Sequence, residues 1–279
     1  MKNIAIITNI GKDPLLSYTN RIKELLGDAF SVKVATKAED YTKVIESSDV
    51  LIVLGGDGTI LTCASDSAKA GVPVLGINLG TLGFLAEVEK TEAEFALDCL
   101  KNGKYSVEER FMLEAFVERD GKKIYENTAL NDFVVSRSSF RRMISTNVYV
   151  DESHVASYDG DGLIICTPTG STGYNLSAGG PILDTGLFAG IITPICPHTN
   201  FSSSIVVPGE KTIKVCLKDN FSKSSMLTTD GQAGFELECR DIVTVKASSH
   251  KAKLIKVHDR SLYDVLSLKN ITGKQGIEI

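Results

Sequence analysis

Tryptophan is absent, which excludes nothing by itself. Histidine occurs at only four positions, 154, 198, 250 and 258, and none of these has metal-ligand spacing. The six cysteines at 63, 99, 166, 196, 216 and 239 form no C-x-x-C pair, and most lie in apolar runs. They read as small buried hydrophobes in a reducing compartment, not as a disulfide framework or zinc site. Excess positive charge is also missing. The net charge of −5 and pI near 5.5 argue against nucleic acid or an anionic membrane as the main partner. No apolar run reaches membrane-spanning length. The chain begins with the strand-like Asn3-Ile4-Ala5-Ile6-Ile7, without a basic region or cleavage site, so a cytoplasmic location is expected. Two nucleotide fingerprints are lacking as well. There is no G-x-x-x-x-G-K-[ST], and after Gly56 and Gly58 the third position of a G-x-G-x-x-G is Leu61. These absences count against a Walker-type P-loop enzyme and a hydride-transferring Rossmann enzyme.

What is present centres on residues 49–62. Residues 50–54 are a short branched apolar run suited to a strand buried on both faces. Gly55-Gly56-Asp57-Gly58-Thr59 follows at once. Its three glycines permit a sharp turn and close approach to a ligand. N–H groups at such a turn, opening a helix over 59–70, make an anion site. A carboxylate at Asp57 repels phosphate, so its place there suits Mg²⁺ binding or proton removal from a hydroxyl. A plain N-cap role for Asp57 is the structural alternative.

Residues 1 to about 103 alternate strand and helix. Strands are expected at 4–8, 30–35, 50–54 and 72–77. Helices are expected at 14–26 with Pro14 in the first turn, at 41–47, at 59–70, and at 91–101 through Phe95, Leu97 and Leu100. This predicts an α/β domain with a parallel, Rossmann-like sheet, whose ligands bind beyond the strand C-termini. From about Tyr105 the period becomes two. Strands at 111–117 and 123–135 flank the hairpin signal Asp120-Gly121, and others follow at 143–150, 162–167, 191–196, 205–207, 212–217, 226–229, 235–238, 242–247 and 254–257. The expectation is an all-β, antiparallel sandwich-like C-terminal domain over 104–258. A helix at 261–267 closes the chain, and the tail 259–279 is expected to pack on the first domain.

The second informative stretch runs from Asp159 to Pro181. A buried strand at 163–166 leads into a segment dense in hydroxyls and glycines. Thr167, Thr169, Ser171 and Thr172 can bond a ribose or base edges, Gly170 and Gly173 admit close approach, and Tyr174 can stack on a ring. A polar loop solvating a domain edge is the alternative.

At this point the motifs resemble those of the NAD kinase family. Gly55 to Thr59 is similar to its GGDGT signature, and Asn131-Asp132 to its Asn-acid pair. Asp161-Gly162 through Thr167-Pro-Thr-Gly-Ser-Thr-Gly-Tyr174 and Ser177-Ala-Gly-Gly180 resemble its long nucleotide-binding motif. Gly76-Ile-Asn-Leu-Gly80, Leu82-Gly-Phe84, Thr193 to His198 and Asp230-Gly-Gln232 also fit. The likeness runs to about residue 257, and 161–181 is its most specific part.

The resemblance implies a phosphotransferase with an alcohol acceptor, moving the terminal phosphoryl group of ATP to the 2′-hydroxyl of the adenosine ribose of NAD. Asp57 would be the base. Gly55, Gly56, Gly58 and Thr59 would cradle phosphates. Asn131 and Asp132 would hold the adenine-ribose part of NAD. Phe84, Thr169, Thr172, Gly173, Tyr174, Ser177 and Gln232 would line the nucleotide site, and Asp161 would contact the far half of the dinucleotide. Arg142 would meet a phosphate, with a solvated hairpin tip at 138–142 as the alternative. Mg²⁺ or another divalent cation would be held mainly through phosphates and water. A homodimer or homotetramer through the β domain is implied. Two departures stand out. Gly173 replaces the usual Ala, and an Arg common after the His is missing from 198–204, which bears on a salt bridge or oligomer contact. Two rivals remain. A lipid kinase shares the glycine signature, but its Leu-Pro-x-Gly-Thr-x-Asn-Asp run is not at 76–83. A non-catalytic dinucleotide sensor would lack the acidic residues present here.

Overall fold

The computed structural model describes residues 1–80, 83–138, 143–198, 202–218 and 225–272. In chain order the elements are β1 (Asn3–Thr8), α1 (Ser17–Leu26), β2 (Ser31–Ala35), α2 (Tyr41–Glu46), β3 (Val50–Gly55), α3 (Asp57–Ala70), β4 (Val74–Asn78), β5 (Val88–Glu89), α4 (Ala93–Lys101) and β6 (Ser106–Arg110). There follow β7 (Leu113–Arg119), β8 (Lys122–Ala129), β9 (Asp132–Arg137), β10 (Ile144–Val150), β11 (Ser153–Gly160), β12 (Gly162–Cys166), α5 (Tyr174–Ser177) and β13 (Ala189–Ile195). The chain ends with β14 (Ile205–Pro208), β15 (Ile213–Leu217), β16 (Ser225–Thr229), β17 (Phe235–Leu237), β18 (Ile242–Ala247), β19 (Ala252–Lys256) and α6 (Leu262–Thr272). Two compact units result: Met1–Glu109 with Lys253–Ile279, and Arg110–Ala252.

The first unit holds a sheet in the order β2-β1-β3-β4-β19-β6, with β5 also on β4. The pairs among β1 to β5, and β19 with β4, are parallel. Strand β3 is buried along its whole length because helices cover both faces. On one face Ile4, Ile6, Ile52 and Leu54 meet Ile22 and Leu26 of α1 and Leu97 and Leu100 of α4. On the other, α3 lies so close to β4 that a methyl on Gly76 would come 2.6 Å from Ile60 Cδ1. Each fully buried Ile or Leu contributes roughly 1.5–3 kcal/mol.

The second unit is a sandwich of two six-stranded antiparallel sheets, β11-β10-β15-β18-β7-β8 and β14-β13-β12-β9-β16-β17. Alternate residues of both sheets, such as Val117, Val215 and Val243 against Phe133, Ile165 and Leu227, make one core. The outer face of the second sheet is covered too, since Val134, Ile164 and Cys166 pack with Ala178 and Leu183. Among the described residues no helix is long and apolar enough to cross a membrane.

Several elements differ from the sequence reading. Helix α1 starts at Ser17, not at Pro14, because the buried Asp13 carboxylate accepts Tyr18 N–H (3.2 Å), Thr19 N–H (2.8 Å) and the Thr19 hydroxyl (2.7 Å). Phe95 stands outside the buried stripe of α4, 49% exposed and stacked on His258. The strand expected over 123–135 is two strands in different sheets, broken at Leu130-Asn131. The strand expected at 254–257 forms as β19 in the first unit's parallel sheet. Strands β6 and β11 had no clear period-two signal of their own. Cys63, Cys99 and Cys166 are buried as expected, but Cys196 is exposed.

Candidate active site

In the first unit the chain order crosses over between β1 and β3. Strand β2 lies on one side of β1 and β3 on the other, and a crevice opens beyond the strand C-termini at such a switch point. A cleft of about 500 Å³ occurs there, lined by Asn9, Gly11 and Lys12 after β1, by Gly56, Gly58 and Thr59 after β3, and by Thr36, Tyr41 and Thr62. Lys12 Nζ lies over the glycines: a methyl on Gly56 would sit 3.1 Å from it, and one on Gly80 2.9 Å. Lys12 and Asn9 were not singled out from the sequence, although their position just after a parallel strand is the signal that marks them.

Gly56 is the N-cap of α3, and Asp57 is the first helical residue. The N-cap alternative for Asp57 is therefore set aside. Its carboxylate turns instead to a loop, accepting Phe84 N–H on Oδ2 (2.6 Å) and Leu85 and Ala86 N–H on Oδ1 (3.1 and 3.2 Å). Gly83 lets that loop come close, because a methyl there would lie 1.9 Å from Oδ1. Three of the carboxylate's four or so lone-pair positions are used, which leaves room for one hydroxyl donor. The Phe84 ring lies beneath the Lys269 ammonium, 4.2 Å away. Thr59 is only 8% exposed. Its hydroxyl accepts Asn9 Nδ2 (3.2 Å), and its N–H closes on Gly56 O (2.9 Å). It fixes the turn, and the amides of Asp57 and Gly58 are the ones helix geometry leaves without an intrahelical acceptor. Gly55 is needed by Thr59, whose Oγ1 would lie 2.3 Å from an added methyl.

In the second unit Asn131 and Asp132 sit where the chain leaves β8 for β9. The Asp132 side chain is 5% exposed. Burial first, and the Asp230 charge second, push its carboxyl up to about 7. Asn131 Oδ1 is buried without a hydrogen-bond partner among the described residues. The segment after β12 is not an open loop. It winds as a single 3-10 turn, Thr169–Thr172, and then as α5. Accordingly Thr167 and Ser171 are fully buried and bond backbone: Thr167 Oγ1 donates to Leu130 O (2.6 Å), and Ser171 Oγ to Pro168 O (2.6 Å). Neither side chain is open to solvent. Gly170 serves packing also, since a methyl there would meet Asn131 O at 2.1 Å. Thr169 Oγ1 accepts from the buried Arg110 (3.4 Å), and Thr172 Oγ1 donates to Thr169 O (3.3 Å). Asn175, passed over in the sequence, braces the segment: Nδ2 donates to Ser171 O and Pro181 O, and Oδ1 accepts from Thr193. Gly173 adjoins Asn131, and Tyr174 and Ser177 are exposed on α5.

Asp161 is not part of this cluster. It precedes β12, whereas Asp132 pairs with Cys166 at the strand's other end, roughly 15–20 Å along it at 3.3 Å per residue. It holds Arg137 in a two-pronged pair, 2.9 Å to Nε and 3.1 Å to Nη2. Gln232 is exposed in the turn after Asp230. Arg142 lies outside the described residues.

Positioning and charge neutralisation, with one fixed carboxylate, are what phosphoryl transfer to a hydroxyl requires. By class, a glycine turn at the cleft with a fixed carboxylate beside it suits a nucleotide-dependent phosphotransferase. Residues 31–105 match the ATP-NAD kinase N-terminal domain and residues 130–257 the ATP-NAD kinase C-terminal domain. The chain belongs to the ATP-NAD kinase family. It is 40% identical over 290 residues to a protein named NAD kinase from Natranaerobius thermophilus, covering 99% of this chain and 100% of that protein. It is 43% identical over 277 residues to one from Thermoanaerobacter sp., covering 95% and 98%. Among solved structures it is similar to yeast NADH kinase complexed with NADH (TM-score 0.84, 21% identity, 100% of this chain and 90% of that one). It is also similar to an NAD kinase from Archaeoglobus fulgidus in complex with ATP (TM-score 0.77, 24% identity, 98% and 100%). At these identities the two structures speak for the fold.

Proposed function

We propose that this chain phosphorylates the 2′-hydroxyl of the adenosine ribose of NAD with ATP, giving NADP and ADP. The ribose oxygen forms a bond to the γ-phosphorus as the bridging P–O bond to ADP breaks. The hydroxyl proton passes to Asp57. The observation that carries this reading is the Asp57 carboxylate, locked by three backbone N–H groups at the first turn of α3, next to Gly56 and Gly58 of a cleft of about 500 Å³, large enough for a nucleotide. The Gly58 amide and the Lys12 ammonium face the donor phosphates, while Gly55, Gly56 and Thr59 shape their turn. Asn131 and Asp132 hold the adenine-ribose part of NAD. Phe84, Thr169, Thr172, Gly173, Tyr174, Ser177 and Gln232 complete the nucleotide contacts. Asp161, with Arg137, meets the far half of the dinucleotide. Among the described residues no group of three or more acidic, His or Cys side chains is placed to hold a metal. The divalent cation, Mg²⁺, enters with the ATP substrate, held through phosphates and water. We place the enzyme in the cytoplasm as a homo-oligomer.

The test is NADP formation by the purified chain with NAD, ATP and Mg²⁺, read by an NADP-specific dehydrogenase, with ATP-free and metal-free controls. Asp57→Asn should cut turnover by several orders of magnitude while NAD still binds, because general-base loss alone accounts for roughly 10²–10⁴ and one held N–H is lost as well. NADP formation that survives this change would remove Asp57 from the chemistry.

A further inference from the structure

Asp230 is a carboxylate with no role in the scheme above, yet its surroundings are unusual. It follows β16 in a tight turn with Gly231. Both have left-handed backbones, at φ 50° and 69°, and Gln232 N–H closes the turn on Thr229 O (2.9 Å). Aspartate tolerates that conformation better than most side chains, and glycine adopts it freely. The turn aims the Asp230 carboxylate at three consecutive amides. Oδ2 accepts Leu130 N–H (2.9 Å), and Oδ1 accepts Asn131 N–H (2.7 Å) and Asp132 N–H (2.9 Å). The Asp230 N–H answers by donating to Asp132 O (2.9 Å). Four hydrogen bonds therefore tie one turn to the other.

The amides lie where β8 ends and β9 begins. The chain there leaves one sheet for the other, so no strand ladder pairs those N–H groups. A buried unpaired N–H is costly, and a carboxylate is a strong acceptor for several at once. From this geometry we propose that Asp230 is a positioning residue for the acceptor nucleotide: it fixes the Leu130–Asp132 turn and thereby the directions in which Asn131 and Asp132 meet NAD. The inference rests on the reading of Asn131 and Asp132 as NAD-holding residues.

A carboxylate placed this way also acts on its neighbour. Asp230 is pushed up to about 6 by burial, against the pull of its three N–H donors. Its charge contributes to keeping the Asp132 carboxyl protonated. The Cys166 thiol faces Asp132 in turn and is itself pushed up, by burial first and by Asp132 second. Asp230 thus holds the turn that carries Asp132 and adds, after burial, to the upward push on its carboxyl.

The experiment is Asp230→Asn in the full chain. The amide can keep the oxygen that serves Asn131 and Asp132, but its NH₂ then opposes Leu130 N–H, donor against donor. KM for NAD should rise roughly tenfold or more, the usual effect of losing a hydrogen bond to a charged group. KM for ATP and kcat should stay within about threefold, since donor cleft and base are untouched. An unchanged KM for NAD, or a fall in kcat with that KM unmoved, would overturn the proposal. Should the variant not fold, amide hydrogen exchange on the wild-type chain decides. The Leu130, Asn131 and Asp132 amides should be protected roughly a hundredfold or more, like strand amides, and exchange at open-loop rates would overturn the clamp. Absence of NADP formation by the wild-type chain is a different failure. It would sink the kinase reading, while the exchange measurement still judges the clamp.

Discussion

Gly83→Ala should silence the enzyme without altering a polar group. The added methyl would lie 1.9 Å from Asp57 Oδ1 and 2.4 Å from Oδ2, where real contacts do not fall below 3.0 Å. Either the carboxylate or the 83–86 loop must therefore give by about 1.1 Å. The short Asp57 side chain cannot swing away cheaply, because both oxygens are engaged by Phe84, Leu85 and Ala86 N–H groups. A misplacement of about 1 Å at a reacting group costs on the order of 100-fold in rate. One or more of the three amides also loses its acceptor, at about 1–3 kcal/mol. That lowers the melting temperature by roughly 2–10 °C. Steady-state NADP formation at saturating NAD and ATP, beside a thermal melt, reads both effects. The expected result is a kcat reduced about 100-fold or more in a folded protein. A kcat within threefold of wild type would refute the argument, since Asp57 would then be free to move and its fixed position could not matter.

Gly173→Ala should be mild. The methyl would meet Gly170 O at 3.2 Å and Asn131 Nδ2 at 3.4 Å, a tight fit on one side only. Loss of unfolded-chain freedom offsets that strain, so stability should change by less than about 1 kcal/mol and KM for NAD by less than about threefold, checked by melting and kinetics. A large rise in that KM would mean the missing methyl is a genuine specificity feature. The Asp132 carboxyl, pushed up to about 7, gives stability a pH dependence of known sign. Above about 4 the unfolded chain has lost this proton and the folded chain retains it, so stability from this group falls as pH rises toward 7 and levels off beyond. Asp132→Asn removes this group's share of the slope and leaves that of Asp230. The melting temperature of the wild type should fall relative to the variant between pH 5 and 8, and parallel curves would show that Asp132 ionises normally.

What the sequence made legible was periodic. Alternating strand and helix signals over the first hundred residues, with an apolar β3 running straight into three glycines, were sufficient for a parallel sheet and a ligand turn at its edge. The period-two segments were sufficient for a sandwich. What stayed hidden was how each polar side chain is employed. Thr167 and Ser171 look identical to ligand-facing hydroxyls in a Ser/Thr/Gly-rich run, and only the folded segment turns Thr167 onto Leu130 O and Ser171 onto Pro168 O. Asn131-Asp132 is a local turn signal at the break, but the sheet switch there is held by Asp230, 99 positions from Asn131, which no local pattern reveals.

The same device recurs through the chain. Asp13 takes the amides of Tyr18 and Thr19, Asp57 those of Phe84, Leu85 and Ala86, Glu87 those of Val257 and His258, and Asp230 those of Leu130, Asn131 and Asp132. In each case a carboxylate holds backbone that neither strand nor helix can pair, which lets irregular segments stand at fixed positions beside regular ones. Asp57 differs from the others in one respect: it stands in the first turn of α3 between Gly56 and Gly58, which line the cleft after β3. Substituting it therefore combines two losses, the anchored loop and the base. Gly83→Ala displaces the same carboxylate while leaving its charge and proton chemistry intact. If both variants fall to comparable rates, most of what Asp57 contributes is its position, and the loop that fixes it is part of the catalytic apparatus. If Asp57→Asn is far the slower, proton transfer dominates and the loop serves mainly to keep a buried turn hydrogen-bonded.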